Sequence, residues 1–166
     1  MTFSMYAASI PVMHHMLGNL AGILKKAASH AEARKIDPSV LINARLFPDM
    51  FPLVKQVQIA SDTAKGVARL AGIEVPKYED NESSFDDLQA RIAKTMAFLD
   101  TLRPEQVDGN EQRDIVLQMR TRTFEFKGQD FLLNWVLPNF YFHITTAYNI
   151  LRHNGIEIGK SDYLGG

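Results

Sequence analysis

The stretch that most constrains this chain runs from Ser83 to Pro104. Its apolar residues fall at Phe85, Leu88, Ile92, Met96, Leu99 and Leu102, in steps of three and four that trace one face of a helix. Ser83 and Ser84 can cap its start, and Asp86 and Asp87 occupy the first turn, where the helix dipole favours carboxylates. Pro104 ends it. A helix with one apolar stripe has to bury that stripe against something, so partner helices are needed. Tyr6, Ile10, Met13, Leu17, Leu20, Leu24 and Ala27 form a second stripe and predict a helix over 4–30, interrupted or bent at Pro11. Residues 33–48 read as a long connection holding a short helical turn at Leu41, Ile42 and Leu46. A further helix is predicted over 49–72, with Leu53, Val57, Ala60, Ala64, Val67 and Ala71 inward. The segment EVPKYEDNES after it reads as a polar loop.

Beyond Pro104 the period changes. Ile115, Leu117 and Met119 alternate with polar neighbours, and Phe124 and Phe126 do the same across the turn RTRT, which predicts a β-hairpin. Helical spacing returns over 129–155 and ends at Gly155, just after Arg152 and His153. The expected fold is all-α: a four-helix bundle with a small β-hairpin inserted before the last helix. At 166 residues the chain suits a single domain over 1–166 with one core.

Charge removes several function classes. Eighteen Lys and Arg against 19 Asp and Glu leave no basic surplus for nucleic acid or an anionic membrane surface. The absence of Cys removes disulfides, thiolate metal sites and Cys nucleophiles. No apolar run reaches membrane-spanning length, and the N-terminus lacks the basic start and apolar core of a leader. A cytoplasmic protein is expected. No GxGxxG, GxxxxGK[ST], GxSxG, HExxH or EF-hand pattern occurs.

Polar residues in the middle of an apolar face are then the informative ones. At about 100° per residue, His143 and Asn139 lie on the same inward face of the last helix as Leu132, Val136, Ala147 and Ile150. Gln56 falls between Leu53, Ala60 and Val67, with Asp49 on the same line, whereas Gln58 and Asp62 are expected to point away. If the helices run up-down-up-down, Gln56, Asn139 and His143 share one end of the bundle beside Pro138, which removes a helix hydrogen bond. They are the expected lining of a polar cavity for a small ligand. A buried His, Gln and Asn can equally complete a neutral hydrogen-bond network that serves only the core. His14 sits on the flank of the first stripe and could reach the end of the bundle; His15 faces solvent. His30 and His153 stand near helix C-termini, where an imidazolium offsets the dipole. Gly18 and Gly22 would let a neighbouring helix approach closely. The last helix is apolar nearly all round, so it is either shared with a second copy in a homodimer or covered by the hairpin and the C-terminal tail.

The stretch NFYFHITTAYNILRHNG resembles the end of the DinB/YfiT-like bundle proteins, in which an HxxxH pair precedes a Leu-Arg and a Gly at fixed distance. Aligning Leu151, Arg152 and Gly155 with that ending puts His143 at the second His and Asn139 at the first. The third family ligand, from the second helix, falls at or near Gln56. Through ARKIDPSVLINARLFPDMFPL, QVQIASDTAK, PNFYFH and IGKSDYLG, the whole chain is similar to a bacterial domain-of-unknown-function branch of that superfamily. The resemblance implies a bundle that is frequently dimeric. It also implies a Zn or Ni ion in members that keep three His, some of which activate a thiol cofactor with it. Here two of the three positions are carboxamides, poor zinc ligands beside imidazole, so no cofactor is expected. One alternative is a divalent-metal-dependent transferase or hydrolase in which His143, Asp49 and His14 assemble another ligand set. Another is a structural or stress-related homodimer with no small ligand.

Overall fold

The structure, a computed structural model, describes residues 3–166. Four long helices form the bundle: α1 (Ile10–Arg34), α3 (Leu53–Gly66), α4 (Phe85–Leu99) and α7 (Leu137–His153). Shorter elements join them: α2 (Pro38–Ile42), α5 (Pro104–Val107), the hairpin strands β1 (Asp114–Gln118) and β2 (Thr123–Lys127), α6 (Gly128–Asp130) and the C-terminal α8 (Lys160–Leu164). Leu17, Leu20 and Leu24 of α1, Leu53, Val57 and Ala60 of α3, Leu88 and Ile92 of α4, and Phe140, Ala147 and Ile150 of α7 are all buried in one core.

Local chemistry explains the element boundaries. The first helix starts at Ile10 rather than at residue 4, because Pro11 is best placed in a first turn, where its missing N–H is not needed. The third helix starts at Leu53, four residues later than the stripe suggests. Pro48 and Pro52 hold the residues before them out of the helical region, which leaves Asp49 in an exposed turn. The start of α4 is as expected: the Ser84 hydroxyl accepts from the Asp87 N–H, and the Asp87 carboxylate accepts from the Ser84 N–H.

The helices do not run up-down-up-down. His14 faces Asp100, and the Gln89 amide donates to the Ala21 carbonyl, so α1 and α4 are antiparallel. From the end of α3 the chain returns along that helix as an extended segment. Lys65 donates to the Pro76 carbonyl, Gln58 to Glu82, and Lys55 pairs with Asp80. The following helix α4 therefore starts at the same end as α3 and runs parallel to it, with Ser61 and Thr95 hydrogen-bonded between them. The last helix packs antiparallel on α3. The segment EVPKYEDNES is thus the strap that allows two consecutive helices to point the same way.

A hairpin precedes the last helix as expected, with Ile115 opposite Phe126 and Leu117 opposite Phe124. The last helix is continuous from α6 to α7, but residues Phe131–Val136 take π geometry just ahead of Pro138. A widened turn there is one way to accommodate the missing proline N–H. Its aromatic flank is covered from within the chain. Trp135 packs at a tilt against Phe124 and Phe126, with ring centroids 4.8 and 5.6 Å apart, and Tyr148 meets Tyr163 of the tail edge-on. Phe142 stays 56% exposed. The spacing of Gly18 and Gly22 is not a close-packing device: a Cβ at Gly18 would meet Met96 at 3.9 Å, and one at Gly22 would meet nothing within 4 Å. Among the described residues no helix is long and apolar enough to cross a membrane.

Candidate functional site

Gln56, in the first turns of α3, and His143, in the middle of the last helix, face each other across the antiparallel seam. The His143 Nδ1 lies 2.7 Å from Gln56 Oε1, and Gln56 Nε2 donates to the Phe51 carbonyl at 3.0 Å. That second bond orients the amide, since only its nitrogen can donate. The Gln56 oxygen therefore accepts, and His143 carries its proton on Nδ1. Its Nε2 is left with a lone pair and no hydrogen-bond partner among the described residues. Gln56 is 1% exposed and His143 8%, and burial pulls the imidazole below its ordinary pKa. At neutral pH the site presents a neutral ring, oriented by a second residue, with a bare acceptor nitrogen.

Asn139 does not join this couple. Because α3 and α7 are antiparallel, the residue one turn earlier on α7 meets α3 further along. There the Asn139 amide donates to the Trp135 carbonyl at 2.7 Å, inside the π segment. It lines a separate cavity of about 390 Å³. Ile59, Leu117, Met119, Phe131, Trp135 and Val136 form the apolar wall of that cavity, and its polar groups are Asn139, Asp62, Thr63 and Arg69. Gln56 and His143 do not line it. The polar cavity expected from three residues is therefore a closed hydrogen-bonded pair and, one turn away, an open cavity with one of the three at its edge.

The cavity's two charged groups differ. Asp62, expected to point away from the bundle, is bonded by Arg91 and Lys65, each at 2.9 Å. Arg91 itself is buried and reaches Asp62, Asp80 and Glu82 together. Burial would raise Asp80 and Glu82, but hydrogen bonds from Lys55 and Arg91 outweigh it and hold both below the usual carboxylate range. Helical periodicity alone does not reveal this network. Arg91 sits on the edge of the α4 stripe next to Ile92, and Gln58 on the flank of α3. Both are buried only because the strap lies over them. One signal was present: acidic residues concentrated in a loop that follows a helix carrying Lys55 and Lys65.

A divalent metal does not fit the residues present. Zinc and nickel draw on imidazole, thiolate and carboxylate. Of the three positions aligned with the family's ligands, one is an imidazole and two are carboxamides, and the Gln56 oxygen already accepts the His143 N–H. The other set is scattered. His14 pairs with Asp100 at 3.4 Å between α1 and α4, Asp49 is exposed ahead of α3, and His143 is in the seam. Among the described residues no three His, Cys, Asp or Glu converge as a metal site.

Against known proteins, the family model described as "Domain of unknown function (DUF1993)" matches residues 5–164. Among solved structures, a DinB family member from Shewanella denitrificans is similar at 44% identity with a TM-score of 0.91, over 97% of this chain and 92% of that one. No curated protein matches the chain.

Proposed function

The chain belongs to the DUF1993 domain family and to the DinB-like bundles, and on that footing we propose that it binds a small ligand in the seam between α3 and the last helix, without a tight metal ion. The observation that carries this reading is the cavity beside Asn139. It joins an apolar wall to a few polar groups, the usual make-up of a small-molecule site, and its volume lies in the range such sites occupy. The Gln56–His143 pair one turn away braces the seam. The set of one imidazole and two carboxamides supports a role without metal.

Two measurements test it. Screening small organic fragments by NMR is expected to yield binders that shift the indole N–H of Trp135; binders that shift only residues outside the cavity, or none, overturn the ligand reading. Elemental analysis after equilibration with zinc or nickel is expected to find little retained metal. Near-stoichiometric retention that vanishes in His143→Ala would replace this reading with that of a metal-dependent transferase or hydrolase.

A second reading, a homodimer, is favoured by the exposed Phe51 and Phe142 beside the Gln56–His143 pair. Sedimentation at the monomer mass would remove it.

A further inference from the structure

The cavity in the α3–α7 seam holds an unpaired cation, and this indicates what it binds. After Gly66 the helix tightens into a 3-10 turn, Val67–Ala71. With three residues per turn, Arg69 is carried back over Gly66. A Cβ at Gly66 would stand 3.2 Å from the Arg69 Nη1, so the glycine makes the room the guanidinium occupies. In that place Arg69 has a single protein partner, the Gly66 carbonyl at 3.5 Å, the limit of a hydrogen bond, and no carboxylate within ion-pair distance among the described residues. It is half-buried, and burial alone lowers its pKa, yet a guanidinium stays charged. The other charged group in the lining, Asp62, is already neutralised by Arg91 and Lys65. The cavity therefore has one uncompensated positive charge on one side and an apolar wall of Leu117, Met119, Phe131 and Trp135 on the other.

A half-buried cation without a partner calls for an anion, and the planar guanidinium fits a carboxylate through two parallel hydrogen bonds. Resting on the ligand reading above, we propose that this cavity takes a small amphipathic monocarboxylate, with its carboxylate on Arg69 and its apolar chain along Trp135, Phe131 and Leu117. The 390 Å³ available suits a ligand of moderate size.

Trp135 is the only tryptophan of the sequence and lines the cavity, so its fluorescence reports occupancy directly. Octanoate, octanol and octylamine, matched in chain length, would be titrated into the full chain. Octanoate is expected to change the Trp135 emission saturably, with octanol weaker and octylamine without effect. In Arg69→Gln the octanoate affinity is expected to fall roughly tenfold or more, with octanol unchanged. Met119→Glu, an exposed substitution that places a carboxylate at the mouth, is expected to weaken octanoate selectively without disturbing the fold. If octanol matches octanoate, or Arg69→Gln and Met119→Glu bind octanoate as well as the parent, the carboxylate assignment is overturned and the ligand cavity stands. If none of the three probes moves the Trp135 signal, both are overturned.

Discussion

His143 is held by one nitrogen only, and that shapes how the protein responds to mild acid. Protonating Nε2 would place a charge in a buried ring with no anion facing it among the described residues, and burial holds its pKa below the ordinary value of about 6.5. Between that lowered value and about 6.5, the unfolded chain binds a proton that the folded chain does not. Stability therefore rises with pH across this window; it is lost as pH drops below about 6.5, and the loss levels off beneath the folded pKa. Urea unfolding between about pH 7.5 and pH 5 should show this slope in the parent and a flatter one in His143→Gln, which can still donate to Gln56. An equal slope in the variant would assign the proton to another group. At this scale Gln56 and His143 were readable from the sequence because a polar side chain inside an apolar stripe stands out. Arg91, Lys65 and Gln58 were not: they lie on helix flanks, and periodicity assigns faces without showing what a distant segment lays over them.

Among the elements, the strap over residues 73–84 does what no single helix can. It runs along the bundle in extended form with the Asp80 and Glu82 carboxylates on Arg91, and that guanidinium ties it to both α3 and α4. Removing one member of a buried ion cluster leaves the others uncompensated. Asp62 and Asp80 keep 46% and 37% of their side-chain surface in water, which softens the penalty. Arg91→Ala is expected to destabilise the fold by about 2–3 kcal/mol and to speed proteolytic cleavage within the strap. Unchanged cleavage would mean that the strap is held by its other contacts, Tyr78 among the cations Lys65 and Lys94 included. The helices, the hairpin and the capping box of α4 follow from local spacing. Their starts moved where prolines intervened, at Pro11 and Pro52.

For the whole molecule, the missed feature was direction. Four stripes do not say which way each helix runs, and the strap's length was the clue: a segment of that size can span a bundle end to end instead of turning at one end. The hairpin is seated with equal care at Gly128, where a Cβ would overlap the Asn110 carbonyl, a backbone atom that cannot rotate away. Gly128→Ala is expected to destabilise the protein by about 2 kcal/mol or more and to alter Trp135 emission, because the hairpin aromatics packed against it would shift. Unchanged emission would show that the joint yields without disturbing the hairpin. The parallel course of α3 and α4 also bears on how the chain reaches its native state. Both antiparallel seams, α1 with α4 and α3 with α7, join helices that are not consecutive. Contacts this distant along the chain slow folding relative to a bundle of neighbouring hairpins. A nascent chain presents α1 and α3 with their apolar faces open until the later helices are made, so its window of aggregation risk closes only when the last helix arrives.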